Sequence, residues 1–138
     1  MLMTIDEALH STPPETEPHR RERTTLKWVS CVIRPEKLDV VKEALHKLNL
    51  VGGVTLSDVR GFGRQKGSVE RYKGVPYAIR FINKVKIDLV VSNDDLPQVV
   101  TLISQLAHTG RVGDGKVFIT DVQAAVRIRT GEQGVDAL

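Results

Sequence analysis

Cysteine is almost absent from this chain, and long apolar runs do not occur in it. A single cysteine, Cys31, stands among 138 residues. This excludes a disulfide within the chain and leaves no cysteine cluster for a metal ion. Because Cys31 falls in an apolar, strand-like stretch, we interpret it as a small buried hydrophobic residue. The sequence has no apolar run of bilayer length and no signal-peptide pattern at its N-terminus, so we expect a cytoplasmic protein.

Aromatic residues are also scarce, and the net charge is small. Aromatics make up 4% of the chain, the net charge is +3 and the pI is about 9.2. The basic residues are not interleaved with stacking aromatics, and no helix-turn-helix or zinc-finger spacing occurs, so direct nucleic-acid binding is not predicted. The length suits one domain with one core. The modest basic excess lies mainly in one loop, where it is either solvated or meets phosphates or an acidic partner.

Hydrophobic periodicity predicts four strands and two helices after the first 25 residues. Alternation predicts strands over residues 27–34, 54–59, 79–91 and 117–122, with a further short run at 124–129. Apolar residues three and four positions apart predict helices over 35–48 and 96–107. This order, β-α-β-β-α-β, is typical of an α+β, ferredoxin-like fold, in which both helices cover one face of a four-stranded antiparallel sheet.

The two ends of this pattern carry further expectations. Residues 1–25 contain Pro13, Pro14 and Pro18 and show no lasting apolar periodicity, so we expect a disordered or weakly ordered extension before a domain over 26–138.

The sheet face opposite the helices would expose apolar side chains, and a monomer rarely leaves such a patch in water. We therefore expect neighbouring subunits to cover it. Its apolar members are Trp28, Val32, Ile82, Val90 and Phe118.

A long polar loop, about residues 62–78, separates the second and third predicted strands. Loops of this length inside a small domain are usually functional. Gly61, Gly63 and Gly67 would let backbone N–H groups approach a ligand. We interpret the stretch as an arm with an anion-binding root. Its charged residues and those of its flanks are Arg60, Arg64, Lys66, Glu70, Arg71, Lys73 and Arg80, and its tyrosines are Tyr72 and Tyr77.

A second glycine-rich stretch, residues 110–116, has the spacing G-x-x-x-x-G-K. A P-loop would continue with Ser or Thr and open a helix, whereas Val117 follows here and opens a predicted strand, so a P-loop NTPase is excluded. The residues still suit a phosphate ligand, although from this loop alone a plain helix-to-strand turn is the favoured interpretation. The spacing of Gly61, Gly63 and Gly67 likewise fails the dinucleotide fingerprint, since no helix is predicted after it.

Arg127 and Arg129 strengthen the anion interpretation. On a strand, residues two apart project to the same side, and paired guanidinium groups there are either solvated or bridged by an anion. Together with Lys116, Gln65 and the two glycine stretches, they supply more donors than one phosphate requires. The sequence therefore favours a nucleotide polyphosphate as the ligand.

Several motifs, in this order, resemble the PII nitrogen-regulatory signal-transduction family. The resemblance covers residues 27–132, which is nearly everything except the N-terminal extension. The motifs are Arg34-Pro35, Gly61 to Gly67 (GFGRQKG), Lys84 to Ile87 (KVKI), Thr109 to Lys116 (TGRVGDGK) and Arg127 to Glu132 (RIRTGE).

This resemblance implies a homotrimer that binds ATP or ADP in the clefts between subunits. With ATP bound, it implies that Mg²⁺, with Gln65 as its protein ligand, bridges the phosphates to 2-oxoglutarate. The implied nucleotide contacts are Thr55, Gly61, Phe62, Gly63, Arg64, Gly113, Asp114, Gly115, Lys116, Arg127 and Arg129. The implied 2-oxoglutarate contacts are Gly63, Gln65, Lys66, Gly67 and Lys84.

The resemblance further implies a regulator rather than an enzyme. Effector occupancy would shift the long loop between shapes and so select a partner, either an ammonium transporter, which is the only implied link to a membrane, or a nitrogen-assimilation enzyme or regulator. The implied partner contacts are Arg71, Tyr72, Lys73 and Tyr77. Tyr77 aligns with a tyrosine that is modified in many members, but Pro76 precedes it where an acidic residue is common, and Val75 replaces the serine phosphorylated in cyanobacterial members.

Two alternatives remain open at the level of sequence. One is a nucleotide-hydrolysing enzyme, for which Asp114 and Asp121 are the nearby candidate bases. The other is an adenylate-energy sensor of the same fold that regulates carbon metabolism or transport without responding to 2-oxoglutarate. The presence of Gln65 and Lys84 argues against the second alternative.

Overall fold

The computed structural model describes residues 25–49, 52–63, 71–72, 75–76 and 80–138. The predicted N-terminal extension and most of the long loop lie outside these ranges. The strands are β1 (Leu26–Ile33), β2 (Val54–Gly61), β3 (Arg71–Tyr72), β4 (Val75–Pro76), β5 (Ile82–Ser92) and β6 (Lys116–Asp121). The helices are α1 (Leu38–Leu48) and α2 (Leu96–Ala107), with 3-10 turns at Pro35–Lys37 and Gly134–Ala137.

The main sheet has four strands in the order β2-β5-β1-β6, and every neighbouring pair is antiparallel. This is the sheet of a ferredoxin-like fold, and it confirms the predicted fold class. The strands β3 and β4 pair only with each other, in a short ribbon within the long loop that the sequence pattern does not predict.

Alternation along the two central strands positions the core between the sheet and the helices. Val29, Cys31 and Ile33 of β1 are buried, as predicted, because they face the apolar stripes of α1 and α2. The stripes place residues at three- and four-residue spacing on one side of each helix. The buried core comprises Val29, Cys31, Ile33, Val41, Leu45, Val85, Ile87, Leu89, Val91, Val99, Ile103 and Ala107.

Local signals explain where the first helix begins and ends. Pro35 opens a single 3-10 turn rather than the α-helix itself, so α1 begins three residues later than predicted, at Leu38. Its predicted end is confirmed, since Asn49 adopts the left-handed conformation with φ 51°. Asparagine tolerates this conformation better than most residues, which makes it a common helix terminator.

The sheet face opposite the helices exposes large apolar side chains, as predicted. Trp28 on β1 is 46% exposed and Phe118 on β6 is 56% exposed, whereas Val32, Ile82 and Val90 are half-buried. We call this surface the open face. The register places Lys84, Lys86 and Asp88 of β5, together with Lys116 of β6, on the same face. No helix within the described ranges is long and apolar enough to cross a membrane.

The predicted start of the third strand is wrong, and so is the strand interpretation of the run at 124–129. The strand predicted over 79–91 begins at Ile82, and Phe81 instead packs edge-to-face on Phe62, with ring centroids 5.5 Å apart. The run at 124–129 forms no strand. Within it, Val126 pairs with Gln133 in an isolated antiparallel β-bridge. The chain reverses here, because the N–H of Gly131 donates to the carbonyl of Arg127 at 2.8 Å.

Candidate functional site

The loop between α2 and β6, residues 109–116, lies closely against the end of β1. We call it the glycine loop. Gly110, Gly113 and Gly115 all have positive φ values, of 85°, 103° and 97°. At Gly115 a Cβ atom would stand 1.7 Å from the carbonyl oxygen of Val32, so only glycine fits there. These glycines let the backbone curl tightly against β1.

The carboxylate of Asp114 holds the glycine loop closed. It accepts hydrogen bonds from the backbone N–H groups of Thr109 at 2.8 Å and Gly110 at 2.9 Å, and from the Thr109 hydroxyl. Arg34 adds a further bond from Nε at 3.0 Å. The bonds from Thr109, followed by those from Arg34 and Gly110, hold the pKa of Asp114 well below its usual range. The carboxylate therefore remains charged and serves to organise the loop.

Arg34 joins β1 to the glycine loop, a role that the sequence pattern does not reveal. Besides bonding Asp114, its guanidinium donates to the carbonyl of Val112 at 2.8 Å. The side chain is 18% exposed, so this charged contact is largely shielded from water. Eighty residues separate the two partners in sequence, and no local spacing signal connects positions so far apart.

Lys84 is in direct contact with the glycine loop. Its ammonium group donates to the carbonyl of Gly113. Lys84 pairs with Val59 in the β2–β5 register, and the two residues line an open cleft of about 470 Å³ together with Pro35, Asp58, Arg60 and Asn83. The candidate carboxylate-binding lysine and the candidate phosphate-binding loop therefore share one end of the sheet.

Gly61, Phe62 and Gly63 belong to the same end, because β2 terminates there opposite the first residue of β5, Ile82. Lys116 opens β6 opposite Val32, near the end of β1, and points to the open face. We call this group of residues, which also includes Lys84 and Gly113, the loop-end cluster.

The remaining described candidates lie in a different part of the sheet. Thr55 pairs with Asp88, near the start of β2, and lines an open cavity of about 510 Å³. The guanidinium of Arg127 donates to the backbone carbonyls of Ala137 and Leu138, which form one wall of this cavity, and pairs with Glu132 at 3.4 Å. We call Thr55, Arg127 and this cavity the start-end cluster.

The predicted side-by-side arrangement of Arg127 and Arg129 depended on a strand that does not form. Arg129 instead lies exposed in the turn at residues 128–130. Arg127 is held by its backbone N–H, which donates to the carbonyl of Glu132 at 2.8 Å. The two guanidinium groups are therefore positioned by the reversal of the chain between Arg127 and Glu132 and not by the alternation of side chains along a strand.

The two clusters are well separated along the sheet. Thr55 and Gly61 mark them on β2, six residues apart, and pair with Asp88 in the middle of β5 and with Ile82 at its start. Six residues of strand span about 20 Å at roughly 3.3 Å per residue. The chain therefore brings the candidate contacts together as two separate groups rather than as one pocket.

Several candidates cannot be assigned to either cluster. Arg64, Gln65, Lys66 and Gly67, and with them the predicted Mg²⁺ ligand, lie outside the described residues, as do Lys73 and Tyr77. The backbones of Arg71 and Tyr72 form β3. Across the ranges that the structure covers, no three His, Cys, Asp or Glu side chains come close enough together to hold a metal ion.

Cys31 takes no part in either cluster. It is fully buried, and burial, with a smaller contribution from the charge of Asp88, raises the pKa of its thiol to about 11. A thiol with such a pKa carries almost no thiolate at neutral pH and is a poor nucleophile. Its interpretation as a core residue is confirmed.

Comparison with known proteins identifies the family. The profile of the family described as "Nitrogen regulatory protein P-II" matches residues 26–132. The nitrogen regulatory protein P-II of Azospirillum brasilense is 49% identical over 113 residues, which are 82% of this chain and 100% of that protein. The nitrogen regulatory protein GlnK of Escherichia coli strain K12 is 45% identical over 113 residues, with the same coverage.

Solved structures agree with this assignment. Arabidopsis thaliana PII bound to citrate superposes with a TM-score of 0.67 and 37% identity, over 83% of this chain and 94% of that one. The GlnK–ATP complex of B. subtilis superposes with a TM-score of 0.68 and 34% identity, over 82% of this chain and 95% of that one. The match in fold, together with the profile match over most of the chain, confirms the resemblance drawn from the motifs: this chain belongs to the nitrogen regulatory protein P-II family.

Proposed function

We propose that this PII-family chain senses ATP, ADP and 2-oxoglutarate as a homotrimer and signals through its long loop. ATP and ADP compete for clefts between subunits, and 2-oxoglutarate binds only beside Mg-ATP. The loop over about 62–78 then selects the partner, an ammonium transporter or a nitrogen-assimilation enzyme or regulator.

The contact of Lys84 with the glycine loop carries this proposal. A dicarboxylate bound against a triphosphate needs cationic groups to offset the repulsion between them. Lys84 supplies such a charge, and its ammonium group already donates a hydrogen bond to the carbonyl of Gly113 in the glycine loop. The two solved relatives support the pairing of ligand types, because one was solved with ATP and the other with citrate, a carboxylate anion.

The separation of the two clusters supports assembly between copies. If the loop-end cluster of one subunit faces the start-end cluster of its neighbour, one cleft gains Lys116 from one chain and Arg127 from the next. Head-to-tail contacts of this kind generate a closed ring when the rotation from one copy to the next closes, as it does in a trimer with threefold symmetry. The same arrangement would cover apolar side chains of the open face such as Phe118, which an isolated chain leaves 56% exposed.

The residues of the two clusters fit the parts of a nucleotide. N–H groups of the glycine loop and the charge of Lys116 suit the phosphates. The cavity beside Thr55 has room for a base, with apolar walls at Val54 and Val90 and a carboxylate acceptor at Asp88. In this proposal Arg127 contributes to the phosphate site by exchanging its present acceptors for phosphate oxygens.

Mg²⁺ would bind mainly through the ligands themselves. The described part of the chain offers no cluster of three metal-binding side chains, and Gln65 is the proposed protein ligand. Mg²⁺ commonly keeps phosphate oxygens and water in its coordination sphere and takes few ligands from the protein. When bound, it would neutralise charge between the phosphates and the oxoacid.

The surroundings of the two candidate bases favour a regulator over a nucleotide hydrolase. Asp114 is engaged by Thr109, Gly110 and Arg34, and its lowered pKa makes it a weak general base. Asp121 is paired with Lys27. Multiple turnover at about 1 per second or faster would contradict the proposal.

Calorimetric titration of 2-oxoglutarate tests the proposed function. We expect binding in the presence of Mg-ATP and none in the presence of ADP. Lys84→Ala should abolish 2-oxoglutarate binding and leave ADP binding largely intact, because the lysine pairs with the effector carboxylate. Binding of ATP without any response to 2-oxoglutarate would indicate the adenylate-energy sensor instead, and no nucleotide binding would refute both.

A further inference from the structure

Trp28 is the chain's one tryptophan, and it lines the cavity of the start-end cluster. Its indole is 46% exposed, while the Nε1–H donates to Oδ1 of Asp88 at 3.1 Å. An exposed tryptophan ring usually has several rotamers, and this hydrogen bond favours one of them. The ring is therefore exposed at the cavity and has a preferred orientation.

The sheet register explains this arrangement. Trp28 pairs with Val90 across β1 and β5, so Asp88 is its diagonal neighbour on the open face. Diagonal neighbours lie within reach of long aromatic side chains. Asp88 in turn pairs with Thr55 on β2. Thr55 is therefore the direct cross-strand neighbour of Asp88, whose carboxylate orients the indole.

A flat, oriented aromatic wall beside a polar acceptor suits a planar heteroaromatic ring. Every nucleobase has a π-face, and stacking on an aromatic side chain contributes substantially to nucleotide binding. Within the same cavity Val90, the direct cross-strand partner of Trp28, is half-buried and adds apolar surface beside the ring. Asp88 is already bonded to the indole, so its first role here is to position that ring.

We propose that the base of the bound nucleotide stacks on the indole of Trp28, and that Asp88 positions the plane of the indole. The inference rests on the proposed nucleotide site and adds to it a determinant that distinguishes a nucleotide from a bare polyphosphate. Base stacking on Trp28 makes its fluorescence a direct reporter of nucleotide binding.

The test compares ATP with inorganic tripolyphosphate, which carries the phosphates but no base. ATP should change the emission of Trp28, and tripolyphosphate should leave it unchanged. Trp28→Ala should weaken ATP binding by about fivefold or more and leave tripolyphosphate binding unaltered. Trp28→Phe keeps an aromatic face, so it should recover most of the ATP affinity.

Ile119→Ala provides the matched control, since Ile119 is 48% exposed but lies on the helix-facing side of β6. It should bind ATP like the unaltered protein, and light scattering should show the same oligomeric state for every variant. If Trp28→Ala does not assemble, the tryptophan emission of the unaltered protein tests the inference by itself. An emission change with ATP but not with tripolyphosphate supports the inference, and no emission change with ATP overturns it.

The outcomes separate this inference from the proposed function. ATP binding with no change in emission, together with undiminished affinity in Trp28→Ala, overturns the stacking role and leaves the nucleotide site standing. Equal losses of ATP and tripolyphosphate binding in Trp28→Ala also overturn it, because they indicate a merely structural role. If the unaltered protein binds neither ligand, the proposed nucleotide site itself is wrong.

Discussion

Substituting Gly115 by alanine should displace the glycine loop, because two independent features of the structure reject a side chain there. The residue has φ 97°, which residues other than glycine rarely adopt. A Cβ would also stand 1.7 Å from the carbonyl oxygen of Val32. Val32 belongs to a central strand that is paired on both sides, so the loop rather than the strand should move.

The expected cost is the sum of these two effects. Backbone strain at a left-handed position costs roughly 1–2 kcal/mol, and relieving an overpacked contact costs roughly 1–3 kcal/mol more. Gly115→Ala should therefore lower the free energy of unfolding by about 2–5 kcal/mol. Gly134→Ala separates the two effects, since Gly134 has φ 62° but an added Cβ would meet nothing within 4 Å, so it should cost only the strain.

Urea denaturation at one fixed protein concentration measures both variants, because the proposed subunit assembly would make the apparent stability depend on concentration. ATP affinity, measured on the folded variants, should fall in Gly115→Ala as its loop is displaced. Equal stability of Gly115→Ala and Gly134→Ala would refute the argument that the close approach to Val32 shapes the loop.

Two further predictions concern the ion pair between Arg34 and Asp114, and a third concerns the hydrophobic core. The pKa of Asp114 in the folded state lies below its ordinary value of 3.8. The ionised carboxylate therefore stabilises the fold above about pH 4, and this stabilisation is lost as the pH falls further. Asp114→Asn should remove that part of the acid dependence of the free energy of unfolding, as measured by unfolding at a series of pH values. Arg34→Ala removes the guanidinium bonds to Asp114 and to the carbonyl of Val112, which tie the glycine loop to β1, and should weaken ATP binding by about tenfold or more in calorimetry; unchanged affinity would contradict the role of Arg34. Ile103→Ala empties a fully buried position and should cost about 2–5 kcal/mol in urea denaturation, whereas Ile119→Ala should cost far less.

Periodicity predicted the parts of the fold that depend on burial. Alternation along β1 identified Val29, Cys31 and Ile33 as the inward face, because a two-residue repeat must place them together. The helical stripes succeeded for the same reason, and so did the expectation of an exposed apolar face around Trp28. The motifs in order were specific enough to identify the family.

The contacts that shape the site depend on distant partners and gave no local signal. Arg34 and Asp114 meet where β1 ends and β6 begins, and the indole of Trp28 meets Asp88 only through the register of two strands. The strand predicted around Arg127 failed because hydrogen bonds closing the reversal at Gly131 outweigh an apolar alternation of a few residues. Local patterns do not encode such competition.

Complementation between two defective chains tests most directly whether the nucleotide site forms between copies. Lys116→Ala and Arg127→Ala should each abolish tight ATP binding in a homotrimer. A mixed trimer should regain one intact cleft, in which the Lys116 of one chain faces the Arg127 of the next. Chains denatured together and refolded as a mixture would be titrated with ATP, with each variant refolded alone as the control. The account predicts that tight sites reappear only in the mixture. If the mixture binds no more tightly than its separate components, the two clusters do not form a shared site and the account is contradicted.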